Sequence, residues 1–411
     1  MSGGTDEHIG ARIASYRKLS GYTQRGFAEA AHLSLGAVRK IERGERLPTQ
    51  GFLIAASRAL HVAVEELTGQ PYRGESRSDE RVHAPIQGIR AAVRRYDLPA
   101  DWYTHPRPMR ELTADVRTAS AHRATARYGR LGAMLPGLLE ELTAAVQLSS
   151  GEPRRASARL LASSYYMAHG LAYRLGYSDL IGQLEDRMRW AAALSDDPLM
   201  RALAEWTHSY SFDAHGDYAG GLRVLDAARQ ELEEGGPSRT PERITMLGSL
   251  HLRESTIASL ARDGDAATHH IDAATRLATE LPGDSDHLHN HMTFGPANVA
   301  VHDVAAAVEL KNPTEAVDKA AGIRFPADMA RTRQGHHFVA VARAHFDLDR
   351  RDDALRYLQR ARKVAPEQTK FHPTARETAR LLTTKYRRST EELRTLTSWL
   401  GVKAQSRQQL P

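Results

Sequence analysis

The chain contains no cysteine. Disulfides, thiolate metal sites and thiol nucleophiles are therefore all excluded. Aromatic residues make up only 6% of the 411 positions, and runs of β-branched residues are scarce, so little favours strands. No apolar stretch approaches the roughly 20 residues that a membrane helix needs. Residues 1–8 are polar, so no secretory leader is expected. The P-loop, the dinucleotide-binding glycine fingerprint, HExxH and GxSxG are missing too, and carboxylates lie scattered along helix faces. These absences predict a cytoplasmic, all-α protein that is not an enzyme and takes no cofactor and no metal.

Alanine and leucine at helical spacing fill much of the sequence. The formal charge is +6, which fits contact with nucleic acid without requiring it. The length allows two or three domains. The most informative stretch runs from Thr23 to Gly44. Gln24, Phe27, Ala28 and Ala31 share one face of a short helix. His32 and Leu33 form a tight turn, and Ser34 offers a hydroxyl to cap a second helix. There Ala37, Val38 and Ile41 face inward, while Leu35, Gly36, Arg39, Lys40 and Arg43 face outward. Two short helices joined this way, the second basic outside, make a helix-turn-helix whose second helix is sized for the DNA major groove. A first helix (Ile9, Ile13, Tyr16, Leu19) ends at Gly21. Gly44 and Pro48-Thr49 separate the second helix of the motif from a fourth helix carrying Phe52, Leu53, Ala56 and Leu60. A last short helix over 62–68 closes at Gly69.

The segment from about 9 to 69 resembles the DNA-binding domain of the Cro/phage-repressor (XRE) family. The resemblance rests on Gln24, Phe27-Ala28, Ser34, Val38, Ile41-Glu42-x-Gly44, Pro48, Leu53, Leu60 and Val64-Glu65-Glu66-Leu67. It implies a five-helix domain at 1–70 and double-stranded DNA as partner. Leu35, Gly36, Arg39 and Lys40 are then the base-edge candidates: Lys40 can donate to guanine O6/N7, and Leu35 can touch a thymine methyl. Thr23, Gln24, Arg43 and Arg46 are the phosphate candidates, the free N–H groups opening the second helix adding to them. Ser34 belongs to the same set as the cap of the recognition helix. His32 stands where the family usually has glycine, so a left-handed backbone is expected there. Glu42 is expected to hold the turn rather than touch DNA.

Residues 71–109 read as a linker with a possible basic helix at 86–96 and a proline-rich joint over 97–108. From 110 to 401 the pattern is helical and repetitive. Second-helix phrases begin at Gly216, Gly264, Asn312 and Arg350, the first three 48 residues apart; the phase over 110–200 stays open. The last phrase, with Ala354, Leu355, Leu358, Ala361 and Pro366, resembles a tetratricopeptide (TPR) helix. Stacked hairpins of this kind form an α-solenoid. Residues 374–400 would cap it, and 402–411 would be a disordered tail. A repressor-like head on a TPR-like body is similar to peptide-sensing (RRNPP-type) and actinobacterial XRE–TPR regulators. That similarity implies a small-molecule or peptide effector, homodimerisation and a pseudo-palindromic operator. Counting back from the second-helix phrases puts Trp206, Tyr210, His251, Glu254, Asn298, His336 and Arg343 on the concave, ligand-facing side. His287, His289 and His291 are expected in a polar loop or helix start. The pairs His269-His270 and His336-His337 point to different helix faces, which argues against shared ligation within a pair. The alternative function is a TPR-type protein-interaction scaffold with a secondary DNA-binding head.

Overall fold

The computed structural model describes residues 7–98, 105–236, 239–283, 286–289, 291–385 and 390–402. Twenty-two helices and one two-stranded hairpin lie among them. The protein is all-α, a helix-turn-helix domain followed by a helical repeat-like region. Most of the expected frayed start, the middle of the joint at 97–108 and nearly all of the expected tail lie outside the described residues.

The head consists of α1 (Ile9–Leu19), α2 (Gln24–Ala30), α3 (Leu35–Glu42), α4 (Gln50–Leu60) and α5 (Val64–Thr68). Each of the first four starts on a side-chain acceptor: His8, Thr23, Ser34 and Thr49. Such caps contribute about 1 kcal/mol apiece. His32 takes the left-handed conformation its place in the turn requires, with φ at 52°. Ile13, Phe27, Val38, Ile41, Phe52 and Leu67 close a small core. Gly10 is obligatory in it, since a Cβ there would lie 1.8 Å from the Ile41 carbonyl oxygen.

The segment read as a linker carries two helices, α6 (Arg77–His83) and α7 (Ile86–Arg94). Val82, Ile86, Ile89 and Val93 are buried in the main core. Helix α7 corresponds to the basic helix expected at 86–96, α6 was not expected, and neither could be assigned its packing partner, the distant helix α9 (Tyr128–Leu148), from spacing alone.

Six helical hairpins follow. They pair α8 (Met109–Ala124) with α9, α10 (Gly151–Leu175) with α11 (Ser178–Ser195), and α12 (Pro198–His215) with α13 (Tyr218–Glu234). The next pairs are α14 (Pro241–Leu260) with α15 (Gly264–Thr279), α16 (Pro296–Glu309) with α17 (Pro313–Ala321), and α18 (Arg331–Asp347) with α19 (Arg351–Val364). One turn recurs in all six. Ala126, Gly176, Gly216, Arg262, Lys311 and Asp349 each have positive φ. The following amide donates five residues back at 2.9–3.0 Å, which is the Schellman closure. This turn settles the phase over 110–200. It also corrects the register: Gly216 is a turn residue, whereas Gly264 is the first residue of α15 and Arg262 is the equivalent of Gly216.

Between α15 and α16 the histidine-rich stretch forms strands β1 (His287–His289) and β2 (Met292–Phe294), antiparallel with Leu288 opposite Thr293. The expected loop or helix start is thus a hairpin. It forms because Met292 and Phe294 can be buried against α14. Gly248 makes room, since a Cβ there would fall within 2.0–2.4 Å of the Phe294 ring.

The array does not stay open. Beyond α19, α20 (Pro366–Phe371), α21 (Pro373–Lys385) and α22 (Glu391–Trp399) lead back to its start. The Tyr128 hydroxyl bonds Gln368 at 3.1 Å, and Glu367 accepts from the Gly129 amide at 2.9 Å. His291 also bonds Ser120 of α8 at 2.7 Å. The start of the array is thus tied to the segment that follows its last hairpin, and the inner side of the closed array is called the lumen below.

Candidate nucleic-acid interface and inner surface

Ser34 caps α3 by accepting from the Ala37 amide at 3.3 Å. Ala37, Val38 and Ile41 anchor the helix in the head core. Ser34, Gly36, Arg39, Lys40 and Arg43 are exposed, and Leu35 is half-buried. Nothing lies within 4 Å of where a Gly36 side chain would project, so a duplex can approach the backbone there. Thr23 is exposed and caps α2 through the Gly26 amide at 3.0 Å.

Gln24 sits at the start of α2, but its side chain is used inside the head. It donates to Glu42 at 2.8 Å, and Glu42 also takes two bonds from Arg17 at 2.6 and 3.0 Å. Glu42 thus ties α1, α2 and α3 together. Arg43 makes an exposed ion pair with Glu45 at 2.6 Å. That neighbour holds the guanidinium above and the carboxyl below their ordinary values. Arg46 is half-buried and close enough to Lys311 and Asp347 of the body to act on their charges.

The head is clamped to the body. The amides of Gln50 and Gly51, opening α4, donate to Glu309 at 3.2 and 2.8 Å. A Cβ on Gly51 would stand 2.9 Å from the Leu260 carbonyl oxygen. Gly216 meets Ile54 and Arg58 from the other side. Helix α4 therefore lies across the turns of three successive hairpins. The Ile9 amide adds a bond to Glu377 of α21 at 2.8 Å. Glu309 and Gly51 could not be picked out from sequence, because the two lie 258 positions apart.

The residues expected on the concave side go to four places. Trp206 packs between repeats beside Tyr166 and Tyr210, its indole donating to the Ser249 carbonyl at 3.1 Å. Asn298 pins the β-hairpin, donating to the Thr293 carbonyl at 2.7 Å. Arg343 is buried 3.8 Å from Glu309, behind the head clamp. His251 and Glu254 turn towards α15, where they meet His270. Helix rotation decides this: Arg253, between them, points the other way, onto the Tyr210 ring at 3.8 Å.

Tyr210 and His336 are half-buried; Tyr210 packs against Tyr173 and Trp206, and the His336 ring stands 6.4 Å from that of His372. Tyr173 keeps 49% of its surface accessible, yet burial pushes its hydroxyl up to about 12. Around it the charges are mostly of one sign. Burial lowers Arg174, but the hydroxyls of Tyr128, Tyr210, Tyr173 and Tyr166 outweigh it and raise the net value. Arg333 is lowered by burial and by Arg174 and Arg123. Burial, then Arg333, takes His302 down to about 3; burial, then Arg174, takes His372 down to about 4. His336 falls well below its ordinary value through burial and these neighbours. Arg174 and Arg333 form no ion pair among the described residues. Sequence reasoning missed Arg174, Arg333, His302 and His372, which come from four separate helices or their ends.

A family model described as helix-turn-helix matches residues 13–67. Over 58 residues the chain is 45% identical to a protein of Bacillus subtilis described as an uncharacterized HTH-type transcriptional regulator, YazB. That match covers 14% of this chain and 84% of the relative. Over 62 residues it is 37% identical to the cryptic phage CTXphi transcriptional repressor RstR of Vibrio cholerae, covering 15% of this chain and 55% of that one. The chain thus spans about half the repressor's length. No solved structure matches the chain. No described helix is long and apolar enough to cross a membrane.

Proposed function

We propose, from the premise that this chain belongs to the helix-turn-helix family of transcriptional regulators, that its TPR-like body is a sensor that governs operator binding. The effector is a small anion or an acidic peptide held in the lumen, and the active species is a homodimer on a pseudo-palindromic site. The protein acts by binding, without catalysis. The observation that carries this reading is the seating of α4 across three hairpin turns. A ligand that favours one curvature of the array shifts those turns and re-aims α3, which is a population shift. The unpaired arginines lining the lumen set the charge of the ligand; buried cations favour an opposite charge. A protein-interaction scaffold needs an open groove, and the meeting of α9 with α20 works against it.

The test is selection of duplexes from a random pool by the full chain, with sedimentation of the complex. Two chains on a two-fold site, with affinity falling steeply as salt rises, are expected. No sequence preference would overturn the DNA-reading role. For the sensor role, anionic metabolites and acidic peptides are screened by thermal shift against the wild type and Arg174→Ala. A hit lost in the variant supports the lumen as the site. Hits that are cationic, or unaffected by the variant, overturn it.

A further inference from the structure

We propose that His251, Glu254 and His270 form a binding site for a first-row divalent transition-metal ion that clips α14 to α15. This site lies apart from the lumen and does not depend on the sensor reading. Its three donor atoms form a nearly equilateral triangle. His251 Nδ1 is 3.0 Å from Glu254 Oε2, His270 Nδ1 is 3.1 Å from the same oxygen, and the two nitrogens are 3.1 Å apart. His251 and Glu254 stand one turn apart on α14, and α15 supplies His270 from across the hairpin.

Hydrogen bonding alone does not satisfy this arrangement. The two imidazoles can share one proton along the line joining their Nδ1 atoms. Glu254 Oε2, buried and 3.0–3.1 Å from both nitrogens, has neither imidazole N–H aligned on it as a hydrogen bond. An unsatisfied buried carboxylate oxygen is costly. An ion about 2.0–2.1 Å from each atom, a usual Zn–N and Zn–O distance, sits just above the triangle, within coordination distance of all three. The angles at the ion come out at about 91–102° for those bond lengths, between an octahedral and a tetrahedral face. Two imidazoles and a carboxylate select Zn²⁺ and its first-row neighbours over Mg²⁺ or Ca²⁺, which prefer oxygen alone. The histidine side chains are 13% and 17% accessible against 3% for Glu254, so water can complete the coordination from the open side. Arg229 Nε, 3.8 Å from Glu254 Oε1, steadies the other carboxylate oxygen. The His269 ring stands 5.3 Å from that of His270 and supplies no donor atom to the group.

The experiment uses full-length protein stripped with chelator and then titrated with Zn²⁺ and with Co²⁺. One ion per chain is expected, together with cobalt d–d absorption and a Zn²⁺-dependent rise in melting temperature. His270→Ala, on the accessible edge of α15, should lose more than the roughly tenfold in affinity that removing even an outer partner of a metal ligand costs, and with it the cobalt spectrum. Glu254→Gln should do the same; if that variant fails to fold, His270→Ala carries the test. Failure of the wild type to retain an ion, or equal binding by His270→Ala, overturns the proposal. The second outcome would place the metal on others of the 20 histidines.

Discussion

Lys40 and Arg43 are one turn apart on the exposed flank of α3, and Glu45 makes them differ. Lys40 carries no ion pair among the described residues, while Arg43 is paired. Lys40→Ala should therefore lose about 1–3 kcal/mol of preference at one base pair. Arg43→Ala should weaken all duplexes similarly, and Glu45→Ala should strengthen them by freeing the guanidinium for phosphate. Anisotropy titrations at several salt concentrations separate the three; equal uniform losses from Lys40→Ala and Arg43→Ala would remove the division of roles. Glu42 is a different case. Its ion pair with Arg17 is almost wholly buried, so Glu42→Ala strands a buried charge and should cost about 3–5 kcal/mol in urea denaturation. A loss below 1 kcal/mol would show that α1–α3 are held together by the apolar core alone. From sequence Glu42 was expected to hold the turn after α3; the structure gives it Arg17 and Gln24 instead. Spacing does not say which way a side chain turns.

At the scale of elements the junction between α4 and the hairpin turns decides how the head is carried. Glu309 satisfies two amides at the start of α4, where orphan N–H groups need an acceptor. Removing it should cost about 1 kcal/mol, as loss of a cap does, and hydrogen exchange should rise in α4 while α3 stays protected. Gly51→Ala is the stronger probe, because the atom its Cβ meets is backbone and cannot swing aside. It should displace the head and change DNA affinity without touching α3. Wild-type exchange and wild-type affinity in Gly51→Ala would disconnect head from body. Amphipathic spacing exposed the head helices and the second helices from Gly216 onward, while α6 was read as linker. The β-hairpin escaped notice because each of its strands has only three residues, too short for a period, and exists through its packing on α14.

Across the whole molecule buried histidines tie stability to pH. His302 is pushed down to about 3 and His372 and His337 to about 4 from an ordinary 6.5, burial being the main cause. As pH falls through 6.5 the unfolded chain takes up protons that the folded chain refuses. Stability is therefore full above about 6.5, declines down to about 4, and levels off once the folded form protonates as well. Urea midpoints measured at steps between pH 7.5 and 4.5 should fall monotonically, and less steeply in His372→Gln. A midpoint that stays flat or rises on acidification would contradict the burial of these imidazoles.

The sequence by itself determined the five-helix head, the outward face of α3, the left-handed turn at His32 and the presence of repeated hairpins. All of these are local: caps, turn residues and a 3.6-residue period act over a few positions. Only the tertiary structure decided that the array closes, that residues 77–94 belong to the body, and that His251 and Glu254 face His270 across the α14–α15 hairpin. Each depends on the rotation of one helix against partners far along the chain. A few degrees per repeat, summed over six hairpins, separate an open groove from a closed ring, and no single residue encodes that sum.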